Sequence, residues 1–303
     1  MKMTSAPALR ARQHARLVAP RPGDVLLCSS IGPSGEVIAL WAAEEATSDA
    51  CVTVQARGTT TTTPIAWRPV AFPSVQPLPD GKVLVVGARC RWRPEGPERN
   101  AIVYDARGSA VLEQTLGDGI SHVLTTPRGE VWVGYFDEGV YGNYGWGNRD
   151  SAPPVGRHGL SRWSSDLDLR WQYPAGEWGA ISSCYALNVH DDTAWAYYYT
   201  DFPVVRVDGD TVTGWHNDVS GASALAVDGS TVAFFGGYGP DQDKLITTVP
   251  LENRLLVTGE HRVVQPDGRP LPGSARVVGR GGELNFLVED RWLRLSVQDL
   301  PRP

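Results

Sequence analysis

The chain has 303 residues and a formal net charge of −6, so it lacks the basic balance that is typical of nucleic-acid-binding proteins. Charged residues make up 20% of the chain, which is low for a helical protein, and the 42% hydrophobic content is enough for a sizeable core. Glycine (33) and proline (23) are abundant, but they stay below the share, roughly 25–30%, that indicates a disordered chain.

The N-terminal segment, residues 1–19, is basic and lacks the apolar run of about 7–15 residues that a secretory signal needs. No stretch of about 18 apolar residues predicts a transmembrane helix. The four cysteines show neither a CxxC pair nor zinc-finger spacing, which favours buried thiols in a reducing compartment. We therefore expect a cytoplasmic protein with no membrane partner.

A repeated pattern then begins, in which a tight Gly/Asp turn separates two strand-like runs. The clearest copies are residues 78–87, 126–135 and 227–236, and weaker copies are 33–40, 190–197 and 281–288. An Asp-Gly pair between β-rich runs is a strong hairpin signal. The turns recur on average about every 49 residues, which is close to the length of one blade in a propeller fold.

A second hairpin follows several copies, at residues 102–111, 160–171 and 204–213. Two hairpins make four antiparallel strands, which is the composition of one blade. From about residue 20 to 298 the chain resembles a β-propeller, although it lacks the regular GH…WD signature of WD40 proteins. The resemblance implies an all-β fold of four-stranded antiparallel blades, most plausibly six of them.

Two segments affect the blade count. Residues 243–275 hold more strand and turn signal than one outer hairpin needs, so seven blades is the alternative. The last copy has only three obvious strands, and we expect the N-terminal segment around residues 15–18 to supply the missing strand and close the last blade. The predicted organisation is an N-terminal segment (1–19), one propeller domain (20–298) and a short C-terminal tail (299–303).

The longest loop, about residues 136–158, combines carboxylates, amides, aromatic rings and glycines. Loops of this length without structure of their own are often functional. Three interpretations compete. Asp137, Glu138 and Asn143 offer oxygen ligands to a divalent cation such as calcium or magnesium; Tyr141, Tyr144 and Trp146 could form an aromatic platform for a flat or sugar-like ligand; or the loop simply folds back on its blade.

The propeller resemblance implies that connections between blades open on the same face as this loop, and that this face usually carries the site. His122 would lie at the start of an innermost strand of the same repeat, and histidine is the ready acid or base near neutral pH. Other aromatic or acidic side chains fall in loops of the expected face. Those predicted to contact a ligand are Trp92, Trp178, Tyr185, Asp201 and Tyr238.

Three functions follow from this distribution. The favoured one is a binding propeller for a small polar or sugar-like ligand, or for a protein partner, on the face carrying residues 136–158. The alternative is a metal-dependent hydrolase or lyase resembling propeller lactonases, with Asp137 and Glu138 as metal ligands or general base and His122 as acid/base. The third is a structural scaffold. The only cofactor suggested is a divalent cation, and no GxSxG, HExxH or P-loop motif is present.

Overall fold

The computed structural model describes residues 6–44 and 48–300, which form two compact units. The central unit is Val18–Cys184, and the terminal unit combines Met1–Leu17 with Tyr185–Pro303. Strands dominate both units. The described residues contain one short α-helix, α1 (Asp137–Tyr141), and short 3-10 turns at Pro79–Gly81, Gly239–Asp241 and Val297–Asp299. Within the same residues, no helix has the length and apolar character needed to cross a bilayer.

Two strands of the terminal unit come first, β1 (Ala8–Arg10) and β2 (Arg12–Arg16). The central unit then forms three four-stranded antiparallel sheets and a small hairpin. Its strands are β3 (Asp24–Ile31), β4 (Val37–Ala43), β5 (Asp49–Ala56), β6 (Thr59–Ala66), β7 (Pro73–Pro77), β8 (Val83–Gly87), β9 (Trp92–Arg93), β10 (Gly96–Pro97), β11 (Ala101–Tyr104), β12 (Ala110–Gln114), β13 (Ile120–Thr125), β14 (Val131–Tyr135), β15 (Leu160–Trp163) and β16 (Leu169–Gln172). The sheets run β3-β4-β5-β6, β7-β8-β11-β12 and β13-β14-β15-β16, and β9 pairs with β10.

The terminal unit repeats this arrangement. Its remaining strands are β17 (Ser183–His190), β18 (Thr193–Tyr199), β19 (Val204–Asp208), β20 (Thr211–Trp215), β21 (Ala224–Asp228), β22 (Thr231–Phe235), β23 (Lys244–Leu251), β24 (Arg254–Val264), β25 (Arg276–Arg280), β26 (Glu283–Val288) and β27 (Arg291–Ser296). Strands β17-β18-β19-β20 and β21-β22-β23-β24 are four-stranded groups, and β1 adds to the edge of β24 in parallel. A single bridge, Asn188 to Gly279, joins β17 to β25.

The third group of the terminal unit draws its outer strand from the N-terminal segment. Strand β2 pairs antiparallel with β27, so that Arg12 faces Arg294 and Arg16 faces Arg291. The strand lies at Arg12–Arg16, slightly before the expected position. The order β25-β26-β27-β2 thus has four strands, as each sheet of the central unit does.

Local sequence explains why these strands form. In the hairpin between β7 and β8, Asp80 and Gly81 both have positive φ (61° and 70°), the conformation that a tight I′-type turn requires. Second strands such as β4 and β8 are apolar and buried on both faces, whereas fourth strands such as β6 are mostly exposed. Repeated four-stranded antiparallel sheets are the composition of propeller blades, as the sequence repeat predicts.

The hydrophobic core lies between neighbouring sheets of each unit. In the central unit, for example, Leu40 of β4 belongs to the same buried cluster as Val85 of β8. The segment 243–275, which carried surplus strand signal, is dominated by one long hairpin whose strands have 8 and 11 residues. The threonine run at Thr59–Thr63 lies in strand β6.

Candidate functional site

The 136–158 loop is folded back against the β8–β11 connection of the central unit. The Trp146 ring is buried, its Nε1 donates a hydrogen bond to the carbonyl of Cys90 (2.8 Å), and it packs edge-to-face on Trp92 with ring centroids 5.0 Å apart. The backbone N–H of Trp92 donates to the carbonyl of Tyr144 (2.9 Å). Trp146 and Trp92, which the sequence analysis expects to contact a ligand, therefore hold the loop in place. Trp92 is half-buried.

A charged network fixes the start of this loop. The Arg89 guanidinium donates to both carboxylate oxygens of Asp118 (3.0 and 2.9 Å) and lies 2.6 Å from Oε2 of Glu138. Asp118 is only 3% exposed and also accepts from the backbone N–H of Cys90 (2.8 Å). The Asn143 side-chain amide donates to the same oxygen of Glu138 (2.6 Å). Hydrogen bonds from Asn143 and Arg89 lower the pKa of Glu138, because both favour its charged form.

The tyrosines of the loop have different surroundings. The guanidinium groups of Arg89 and Arg91 lie over the Tyr144 ring, 4.3 and 4.4 Å from its centroid. Tyr141 is exposed, and its hydroxyl donates to the Ser182 hydroxyl (2.8 Å). The cation–π contacts of Arg89 and Arg91 with Tyr144 stabilise that partly exposed ring by about 0.5–1 kcal/mol each. Tyr144 is thus engaged by the protein itself, and Tyr141 is the more accessible of the two.

The residues predicted to ligate a metal are close in sequence but are used within the loop. Oδ1 of Asp137 accepts the adjacent backbone N–H of Glu138, and the Asn143 side-chain oxygen accepts the N–H of Tyr144. Across residues 6–44 and 48–300, no group of three or more His, Cys, Asp or Glu side chains is arranged to hold a metal ion. His122 is half-buried in β13, opposite Gly134 of β14. Trp178 is half-buried in the turn from Gly176 to Gly179.

The structure brings two other predicted ligand-binding residues into direct contact in the terminal unit. Tyr185 lies near the start of β17, and Tyr238 follows β22. The Tyr238 hydroxyl donates to the Tyr185 hydroxyl (3.0 Å). The Tyr238 ring packs over Gly221, where a Cβ would come within 2.7 Å of the ring. Gly221 has a φ of +74°, so both the backbone conformation and the close approach favour glycine.

The loop between β18 and β19 completes this aromatic cluster. Phe202 lies between the other rings, with centroid distances of 5.3 Å to Tyr185, 5.6 Å to Tyr199 and 6.5 Å to Tyr238. Tyr199 is 45% exposed and Tyr238 is 56% exposed. We call Tyr185, Tyr199, Phe202 and Tyr238 the tyrosine surface. Sequence reasoning overlooked Phe202, and its place directly after Asp201 was the only available signal.

Asp201, also predicted to contact ligand, lies beside this cluster in the same loop. It is exposed, and its carboxylate forms no ion pair with any residue in the described part of the chain. Both Asp201 and Phe202 have positive φ (64° and 53°). Aspartate tolerates positive φ, but for a bulky side chain such as Phe202 it is rare and costs roughly 1–2 kcal/mol. The surrounding packing therefore holds the loop in a strained conformation that presents an uncommitted carboxylate next to exposed rings.

Comparison with known proteins gives one family match and several structural likenesses. Residues 177–271 match the model of the YxzG family, a segment that includes the whole tyrosine surface but is a minority of the chain. No curated protein matches the sequence.

Among solved structures, apo AztD from Citrobacter koseri is 13% identical, with a TM-score of 0.46, and the match covers 94% of this chain and 70% of that one. The β-propeller domain of Cps50 (Swd1) from Myceliophteria thermophila is 11% identical, with a TM-score of 0.48 and coverage of 89% and 96%. YCF48 bound to D1 peptide is 11% identical, with a TM-score of 0.46 and coverage of 96% and 99%.

Proposed function

We propose that this protein is a non-catalytic binding propeller that takes a polar, hydroxyl-rich ligand of the saccharide class on the tyrosine surface. One observation carries the proposal: exposed tyrosine rings surround Phe202 beside the uncommitted carboxylate of Asp201. Apolar ring faces with a few well-placed polar groups are the usual composition of a small-molecule site. The sugar ring would lie flat on a tyrosine face while its hydroxyls donate to Asp201.

The exposed area favours a small ligand over a protein partner. Tyr199 and Tyr238 are each about half exposed, and a tyrosine side chain offers on the order of 200 Å², so the two expose roughly 200 Å² together. A standard protein interface buries about 800 Å² on each partner. The tyrosine surface is therefore sufficient for one or two sugar rings and small for a protein.

The use of polar groups also favours the terminal unit over the 136–158 loop. Glu138 and Asn143 hydrogen-bond each other, and Arg89 pairs with two carboxylates. A ligand at that loop would have to break these contacts, whereas Asp201 forms no ion pair with the residues that the structure describes. We further propose that the six four-stranded groups of the described residues are the blades of a six-bladed propeller in which β2 closes the last blade.

A glycan array covering mono- and oligosaccharides tests the proposal, followed by calorimetric titration of the strongest binder. We expect Tyr238→Ala to weaken binding by about tenfold, the equivalent of about 1.4 kcal/mol, because it removes a stacking face and the hydroxyl bonded to Tyr185. Tyr141→Ala is the matched control, since Tyr141 is an exposed tyrosine of the central unit. An array with no bound saccharide, binding of peptides alone, or equal affinity for wild type and Tyr238→Ala would each overturn the proposal.

A further inference from the structure

A pocket of about 340 Å³ opens in the terminal unit beside the tyrosine surface. It lies between the connection from β22 to β23 and the segment that leads into β25. Its walls combine apolar side chains with a few polar ones. The residues that matter here are Ser223, Phe235, Gln242, Asp243, Leu271 and Val277.

One side of the pocket is rigid and apolar. Phe235 is 4% exposed and packs edge-to-face on Phe286, with ring centroids 5.0 Å apart. Leu271 and Val277 pack against the same buried cluster. A wall of this kind is preformed, because its side chains are held by the core. It suits the apolar C–H face of a ring.

The pocket also carries hydrogen-bonding groups, among them the carboxylate of Asp243. Arg262 donates to Oδ1 of Asp243, to Oδ1 of Asp241 (3.3 Å) and to the carbonyl of Pro240 (2.9 Å). Oδ2 of Asp243 accepts no hydrogen bond from the residues that the structure describes. Arg262 pairs with Asp243, and Lys244 lies 4.0 Å from Asp241 and 3.0 Å from Glu260. Because the carboxylate that lines the pocket already has a cationic partner, the pocket favours an uncharged hydrogen-bond donor over a cation. The exposed side chain of Gln242 adds an amide donor and acceptor at the rim.

Chain connectivity places the pocket next to the tyrosine surface. Gly236 and Gly237 line the pocket, and Tyr238 is the next residue. In the connection from β20 to β21, Ser223 lines the pocket two residues after Gly221, which packs under the Tyr238 ring. The pocket and the tyrosine surface therefore share two chain connections, the one before β21 and the one after β22.

We infer that this pocket is a subsite for a single uncharged, hydroxylated ring at the end of the saccharide that lies on the tyrosine surface. The inference rests on the proposed function and adds the length and polarity of its ligand. The pocket volume is near the lower end of the range of about 300–1,000 Å³ for ligand pockets, which fits one ring. Phe235 would face the apolar side of that ring, and Asp243 would accept its hydroxyls.

Two variants separate the pocket from the tyrosine surface. Asp243→Asn removes the carboxylate with little change in shape, and Arg262 keeps Asp241 and the Pro240 carbonyl, so the fold has an alternative partner. Gly273 lines the pocket, and a Cβ there meets no atom within 4 Å, so Gly273→Trp adds bulk at the pocket wall without a steric clash. Gly176→Trp in the central unit is the matched control, since its Cβ would meet only the Pro174 carbonyl oxygen at 3.8 Å.

The experiment measures affinities for the best array saccharide, for its terminal monosaccharide as the methyl glycoside, and for an analogue with a charged terminal ring. We expect Asp243→Asn and Gly273→Trp to weaken methyl glycoside binding by about tenfold and Tyr238→Ala to leave it within about twofold, whereas all three weaken binding of the longer saccharide. Gly176→Trp should bind as wild type does.

The outcomes distinguish the two claims. If Tyr238→Ala weakens saccharide binding while Asp243→Asn and Gly273→Trp do not, the pocket inference fails and the proposed function stands. Preference for the charged terminal ring also overturns the inference. If no saccharide binds the wild-type protein, the proposed function fails and the inference fails with it.

Discussion

Replacing Asp118 should destabilise the central unit more than replacing an exposed carboxylate does. Its side chain is 2% exposed and accepts three hydrogen bonds, two from Arg89 and one from the Cys90 backbone. Removing one partner of a buried ion pair costs about 3–5 kcal/mol. Arg89 keeps its contact with Glu138 (2.6 Å), so we expect a loss near the lower end, about 3 kcal/mol, for Asp118→Ala.

Two further variants separate the contribution of the Asp118 charge from that of its shape and from the effect of replacing an exposed carboxylate. Asp118→Asn keeps the shape and an acceptor for the Cys90 N–H but loses the charge, so about 1–2 kcal/mol is expected. Asp137→Ala is the control: Asp137 is exposed and its carboxylate accepts a hydrogen bond from the adjacent backbone N–H of Glu138, so its effect should stay within about 0.5 kcal/mol.

Urea unfolding followed by tryptophan fluorescence gives the free energies of unfolding, and hydrogen exchange locates the change. Protection should fall in peptides around Arg89, Cys90 and the 136–158 loop, because the network joins these segments. A loss below about 1 kcal/mol for Asp118→Ala, or a loss equal to that of Asp137→Ala, would refute the reasoning that this pair anchors the loop.

Three further predictions follow from the contacts. Asn143→Ala should raise the pKa of Glu138 toward the usual glutamate value. In the wild-type protein, the stabilising contribution of Glu138 is present above the usual pKa and is lost as the pH falls through the lowered pKa. Carbon-13 titration of the Glu138 carboxyl measures this pKa, and an unchanged pKa in Asn143→Ala would contradict the prediction. Gly221→Ala should displace the Tyr238 ring and weaken ligand binding more than Gly229→Ala, which shares the positive φ but meets no atom within 4 Å; equal effects would exclude the steric cause. Deleting the strand β2 should lower the melting temperature by about 5 °C or more, since the outer strand of a sheet is lost, and an unchanged melting temperature would contradict its structural role.

The fold could be predicted from the sequence where it depends on short-range patterns or on the number of strands in a repeat. The Asp80-Gly81 turn is recognisable because a tight hairpin needs positive φ at both positions, and both residues tolerate it. The need for an N-terminal strand came from counting three strands in the last repeat, and the structure places β2 there. Both inferences depend on short-range pattern or on the fixed composition of a blade.

The candidate site was harder to predict from the sequence, because glycines and aromatic residues occur both in exposed loops and in loops that fold back on the protein. The Gly- and aromatic-rich composition around Trp146 does not reveal that its ring turns inward onto the Cys90 carbonyl. The Arg89 to Asp118 pair joins residues 29 positions apart with no periodicity that would mark them. Phe202 is a single aromatic in a loop, and only its packing against Tyr185 makes it part of a surface.

The difference between the two aromatic regions lies in whether their polar groups are already used. In the central unit, Glu138 is held by Arg89 and Asn143, so a ligand there would replace existing charge-assisted hydrogen bonds and gain little. In the terminal unit, Asp201 makes no ion pair with a described residue and lies beside half-exposed rings. A new hydrogen bond to Asp201 replaces only water, and ring stacking removes apolar area from water, so both changes favour binding. Trp92 and Trp146 thus support the fold of the 136–158 loop, and the proposed binding surface is formed by the tyrosines of the terminal unit.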